Sequence, residues 1–496
     1  MPTGGAHTHA GRVETHLDAI RRRDLWILIC FLISRALYYA SGIRFQTNRL
    51  ATNFQFLDLT LLRDRLWETL YYCHGQPPLM NAIIGLCLKV SPTHYGGWLH
   101  AFYMLLGAGS ALLLYRVMVY LGVSDRLAFL FTLLFIASPG CVLFENYPLY
   151  EYEMMFLLLL SCVLLQKLVE RPSTRLSFYF FTAWAALAWI RSIYHLYVLI
   201  LVAAVLVAYL WKARFQVLTG AAVPILSVLI LYLKNWMVFG LFGASSWLGA
   251  NLIVVSAHQI SPAEKLEMVR QGHASELVLL DPGESPPAYR RFIPDVPKTG
   301  IPILDEDMKQ TGGGPNTNNL VYLKIDPQYR QVAKQVLREH PKAFLKSFSI
   351  ALFCYFLPPT DYFHFEESRA AIRPLDRVLN VFVYGQFAET TRKGLRELQA
   401  SGQGAKLVLY TGTFLIVMVP LLLGWGVYLA WKTRPRNALM LYLLFHIVFV
   451  LTVTTLLSSF ENNRYRFPTD PMYVALFATM VQAIITTRSS RMAMAK

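Results

Sequence analysis

Apolar runs close to 20 residues long recur from one end of the chain to the other, and they limit its fold more than any other feature. They fall at about 25–43, 98–121, 127–143, 152–169, 175–192, 194–211, 216–238, 406–431, 437–457 and 471–487. Each is near the ~20 residues that cross a bilayer core. Charged residues make up 15% of the 496, where a soluble domain carries roughly 25%. With 55% of residues hydrophobic, disorder is excluded and an ordinary soluble enzyme fits poorly. The expected class is an all-α integral membrane protein. The net charge of 46 − 30 = +16 points to no nucleic-acid partner, because Lys and Arg also hold loops on the cytoplasmic side of a membrane. Cys30, Cys73, Cys87, Cys141, Cys162 and Cys354 include no C-x-x-C pair, so neither a metal site nor a disulfide framework is expected. The polar N-terminus and a first run without a small-residue cleavage site predict no cleavable signal peptide.

Charge sets the expected topology. Arg21, Arg22 and Arg23 precede the first run and anchor that end inside, so the chain emerges outside near Gly42. If 44–97 is one external segment, Arg116 and Arg126 lie inside. The same alternation puts Lys167, Arg171 and Arg175 inside, then Lys212 and Arg214, then Lys432, Arg434 and Arg436, and last Arg488, Arg491 and Lys496. Every short basic cluster falls on one side, and both termini are expected in the cytoplasm. The predicted organisation is a cytoplasmic tail (1–24), an N-terminal transmembrane module (25–238), an external loop domain (239–345) and a C-terminal transmembrane region (346–496). Residues 78–91 are apolar but short, and read as a helix in or dipping into the outer leaflet. Residues 346–405 hold either two spans or a re-entrant pair, for a total of ten to twelve. In the external segment, DPGESPP (281–287) and TGGGPNTNN (311–319) are strings of turn residues. A helix with an amphipathic face is expected over 327–345.

Polar groups at membrane level are expensive and mark functional candidates. They gather on the external side. Asp58, Asp64, Glu68 and His74 lie in the first external segment, and Glu145, Glu151 and Glu153 in the second. Arg191 and His195 are in the third, Lys234 and Asn235 near the outer end of 216–238, and Glu461, Arg464 and Arg466 in the last. Carboxylates from early loops and cations from later ones suit a nucleophile that loses a proton and a leaving group that keeps a negative charge. Asp64 and Glu68, four apart beside Arg63 and Arg65, read more simply as a solvated helix face. Asp58 sits among Phe56, Leu57 and Leu59, where a lone carboxylate is costly unless paired. His74 precedes Gly75-Gln76-Pro77-Pro78 and could equally cap a turn; Arg191 could snorkel to the surface. Lys234 interrupts an apolar run and calls for an anionic partner. Arg464 and Arg466 could both reach one oxyanion if their loop is extended.

Asp58, the HGQPPL of 74–79, Glu145 and the NRYRFP of 463–468 together resemble the GT-C superfamily of membrane glycosyltransferases, near the protein O-mannosyltransferases and the aminoarabinose transferases of lipid A. The resemblance implies a GT-C-like bundle that moves a sugar from a polyprenyl-phosphate carrier to an acceptor on the outer face, with inversion. It makes Asp58 the general base and Glu145 the group that orients acceptor or sugar. His74, Lys234, Arg464 and Arg466 would hold substrate and lipid phosphate. Relatives often carry a second acidic residue after the first, but Leu59 and Thr60 follow Asp58 here. A metal-independent reaction is therefore expected, with no cofactor and a divalent ion not favoured. No G-x-G-x-x-G or P-loop is present for a nucleotide sugar. The acceptor stays open between a protein, a glycolipid and a polysaccharide. The setting is a bacterial inner membrane with a periplasmic site, or an endoplasmic reticulum with a lumenal one. The competing class is a transporter or flippase of a lipid-linked or anionic substrate, which would show repeated or broken helices in two matching halves; a catalytically dead relative acting as an assembly partner is the third.

Overall fold

The computed structural model describes the backbone at residues 6–386, 413–432, 437–458 and 460–494, and side chains at 22–386, 415–432, 437–458 and 460–489. Arg434, Arg436, Lys496 and residues 387–412 of the ambiguous 346–405 segment lie outside the described residues, as do the side chains of Arg21 and Arg491. The described residues form helices and no strand, with one isolated bridge between Met308 and Pro315. The N-terminal part contains α1 (Ala6–Ala40), α2 (Leu59–Asp64), α3 (Leu66–Tyr71), α4 (Leu79–Val90), α5 (Tyr95–Tyr120), α6 (Asp125–Ile136), α7 (Pro139–Asn146), α8 (Tyr150–Glu170), α9 (Thr174–Ile190), α10 (Leu196–Tyr209) and α11 (Arg214–Phe239). Residues 239–345 contribute α12 (Leu248–Ala257) and α13 (Leu320–Glu339). The C-terminal part holds α14 (Pro341–Phe356), α15 (Arg373–Leu379), α16 (Thr413–Lys432), α17 (Ala438–Leu457), α18 (Asn462–Arg466) and α19 (Asp470–Met494).

Five stretches among the described residues are long and apolar enough to cross a membrane: Tyr95–Tyr120, Tyr150–Glu170, Trp211–Phe239, Leu415–Lys432 and Ala438–Leu457. A sixth is the pair α6 and α7, if its 52° bend lies within one span. Other expected spans form helices that are shorter or more charged. α10 has 14 residues, and the first apolar run is interrupted by Arg35. The apolar stretch near 78–91 forms the 12-residue α4, about 18 Å long and too short to cross.

Most of the bundle shares one apolar core, to which Ile27, Tyr103, Leu158, Trp184, Leu231, Leu443 and Leu476 belong. α9 packs closely on α11 because Gly220 leaves room. A Cβ there would stand 2.5 Å from the Thr174 carbonyl, and Ser177 Oγ instead donates to Val217 O at 2.8 Å. Residues 239–345 build a second core from Ile253, Met268, Leu277, Tyr289, Tyr322, Tyr329 and Val336, with α12 packed on α13. The amphipathic helix predicted from 327 starts earlier, at Leu320. Asn319 caps it by accepting from Val321 N at 2.9 Å, and Pro327 lies inside it rather than at its first turn.

Candidate functional site

The Ser138-Pro139-Gly140 break between α6 and α7 sets up the second external loop. Ser138 caps α7, with Pro139 at its first turn. The break frees the Ile136 carbonyl, which accepts from Arg35 Nη1 at 2.5 Å. Arg35 Nε and Nη2 then donate to the two oxygens of Glu145 at 2.8 and 2.7 Å, and Tyr152 Oη donates to Glu145 Oε2 at 2.5 Å. Gly107 admits this group, since a Cβ there would fall 2.4 Å from Glu145 Oε2. Glu145 is fully buried and both its oxygens are spent inside the bundle. The structure therefore places this expected acceptor-orienting residue in a helix-bracing pair.

Asp58 caps α2. Its Oδ1 accepts from Thr60 N at 2.7 Å and Leu61 N at 3.3 Å, and its Oδ2 accepts from Thr311 N at 3.1 Å. Leu59 N returns a bond to Thr311 Oγ1 at 3.1 Å, so the carboxylate ties the first external segment to the TGGGP loop. Lys309 lies beside it, 4% exposed, and donates to Asn53 O at 2.7 Å. Burial pushes the Lys309 ammonium down to about 8, against the pull of Asp58. Asp64 and Glu68 form exposed pairs with Arg63 and Arg65, as the solvated-face reading has it.

His74 is buried in the turn before α4. Its Nδ1 lies 2.9 Å from Ser246 Oγ, its backbone N and that of Gly75 both donate to Asn318 Oδ1, and its Nε2 has no partner. Burial pushes the imidazole down to about 3, so at neutral pH it is an uncharged group that brings no cation to a phosphate. Lys234 donates to the carbonyls of Tyr71 and Cys73 at 2.9 and 3.0 Å. It closes the C-terminal end of α3, with two of its three protons committed to backbone.

The segment at 461–471 corrects a second expectation. Residues 462–466 are not extended but form the helical turn α18, and positions two apart on a helix face away from each other. Arg466 turns to Asp470 Oδ1 at 2.8 Å and to the Tyr355 carbonyl. Arg464 turns to Glu461 Oε2 at 2.8 Å, Glu151 Oε1 at 3.0 Å and Tyr362 Oη at 2.9 Å. The two guanidiniums cannot clasp one oxyanion together. Burial works against the charge of Arg464, but Glu151 and Glu461 outweigh it and hold its pKa above the usual arginine range.

Around Arg464 the charges are left uneven. The Glu151 contact lies off the hydrogen-bond direction, so neither oxygen of this buried carboxylate has a hydrogen-bond partner among the described residues. Arg191, 8% exposed, lies between the rings of Tyr150 and Tyr465, 5.2 and 5.0 Å from their centroids, with no hydrogen bond or ion pair from its side chain among the described residues. Phe460, immediately before Glu461, has φ = 84°, a strained conformation for a residue with a side chain and one that gathers at functional sites. Glu461 is 20% exposed and opens the cluster to the surface of the bundle. Tyr150 joins it to the first external segment by donating to Gln55 O at 3.1 Å. The residues brought together are thus Arg464, Glu151, Glu461, Tyr150, Tyr465 and Arg191; among the expected site residues only Arg464 belongs to this set. Arg191 and Glu151 carried a signal in the sequence as charges at the ends of apolar runs, but snorkelling was the favoured reading of Arg191. No family model, no curated protein and no solved structure matches the chain.

Proposed function

We propose that the chain is a membrane glycosyltransferase of GT-C type. It would transfer a sugar from a polyprenyl-phosphate carrier to an acceptor hydroxyl on the outer face of the membrane, in a bundle of ten to twelve spans with both termini in the cytoplasm. One observation carries the reading. Arg191, which makes no ion pair among the described residues, shares the ring of Tyr465 with Arg464, and Arg464 in turn serves two carboxylates, Glu151 and Glu461. The unmatched cation suits the phosphate that departs with its electron pair. The surplus carboxylate suits the proton released as the acceptor oxygen bonds to the anomeric carbon. The same charges at mid-bilayer would favour a transporter; here they collect where external loops meet the bundle.

This reading moves the base from Asp58 to Glu151. Asp58 holds three backbone N–H groups, whereas both Glu151 oxygens are free of hydrogen bonds. The test is a transfer assay on purified protein with labelled polyprenyl-phosphate sugars and a membrane extract as acceptor, with EDTA in parallel. Wild type should release label from the carrier, Arg191→Ala and Glu151→Gln should not, and Asp58→Asn should retain transfer. Loss in Asp58→Asn with the fold intact returns the base to Asp58. Loss with EDTA brings in a divalent ion. If wild type releases label from no carrier, the transferase reading falls.

A further inference from the structure

Helix α15 and the π-helical turn that continues it, Asn380–Tyr384, are inside out for a helix in water. Their inner face is polar. Asp376 is 1% and Asn380 3% exposed. Arg369 bridges Asp376 Oδ2 and Asp361 Oδ1, both at 2.5 Å, Asn380 donates to Thr360 Oγ1 at 3.0 Å, and Gln386 donates to Asp361 Oδ2 at 2.5 Å. Their outer side exposes Leu375, Val378, Phe382 and Val383 to 47, 53, 79 and 46%, with exposed Arg373 and Arg377 confined to its first two turns. A surface helix in water has the opposite arrangement. The stripe also continues into a neighbour. The π-turn packs beside α16, whose Val417 and Leu421 are exposed to 55 and 56% and lie in one of the stretches long and apolar enough to span a bilayer.

We propose that residues 373–384 are set into the membrane, with the exposed Arg373 and Arg377 at headgroup level and Phe382 and Val383 among the acyl chains. From Arg377 to Val383 the helix rises about 9 Å, which stays within one leaflet of a hydrocarbon core about 30 Å thick. Arg377 can reach phosphate from this position. The inner carboxylates and amides tolerate the location because protein groups bond them. The partner of the stripe is lipid hydrocarbon, continuous with the lipid around α16. The inserted turn also abuts the last external loop, as Tyr384 lies 5.7 Å from the Arg466 guanidinium. None of this depends on the transferase reading.

The test places p-benzoylphenylalanine at position 382, 237 or 64 of the full chain, reconstituted in nanodiscs with radiolabelled phospholipid. Met237 is 80% exposed on a candidate spanning helix and serves as the lipid-facing reference. Asp64 is 52% exposed beside Arg63 and serves as the water-facing one. Irradiation should give lipid adducts at 382 as abundant as at 237, and background at 64. Labelling at 237 without labelling at 382 overturns the proposal. An adduct at 382 to protein instead of lipid also overturns it, and assigns the stripe to a protein cover.

Discussion

Two buried arginine–glutamate groups lie at either end of the α7–α8 connection, with Glu145 and Glu151 six residues apart, and they are built to opposite rules. Around Arg35 the account is closed: both Glu145 oxygens accept from it, and the carbonyl freed by the helix break takes another of its protons. Around Arg464 one guanidinium serves two carboxylates, Glu151 has no hydrogen bond to either oxygen, and Arg191, which shares the Tyr465 ring with Arg464, has no ion pair among the described residues. Burying a charge without a partner costs several kcal/mol, so a protein keeps such an arrangement where a ligand completes it. The comparison separates charge used to hold helices together from charge held ready for a substrate.

The widest gap is expected in stability. Arg35→Ala strands Glu145 in the bundle and should cost about 3–5 kcal/mol, read as a lower unfolding midpoint in detergent. Arg35→Met combined with Glu145→Met should recover most of it. Arg191→Ala should do the reverse, leaving the midpoint in place while transfer falls about 10²–10³-fold. An Arg191→Ala variant as unstable as Arg35→Ala would erase the contrast. Asp58→Ala removes the α2 cap and should cost about 1 kcal/mol in the same melt, placing Asp58 with the structural charges.

A pH titration separates the groups further. Lys309 titrates at about 8 when folded and near 10.4 when unfolded. Between these values the unfolded chain binds the extra proton, so stability should rise with pH across that window. In Lys309→Met the rise should be flatter; an unchanged slope would mean that Lys309 does not titrate there. The smallest effect belongs to the exposed pairs. Asp64→Asn and Glu68→Gln should leave melt and transfer unchanged, because water already screens those charges.

The helical class and most helix positions could be read from hydrophobicity alone, because the length and polarity of a run depend only on its own residues. The separate fate of each charge could not. Glu145 and Glu151 look alike in ENYPLYEYE, yet one meets Arg35 from 110 residues away and the other meets Arg464 from beyond residue 460. Arg464 and Arg466 read as a pair until the loop proved helical and turned them apart. Lys234 asked for an anion and found two carbonyls of another helix end. What the sequence determined by itself was the solvent each segment prefers, a sum over local transfer free energies. Only the tertiary structure decided which buried charges are matched and which are left open, because that depends on groups brought within a few ångströms by helices distant in the chain.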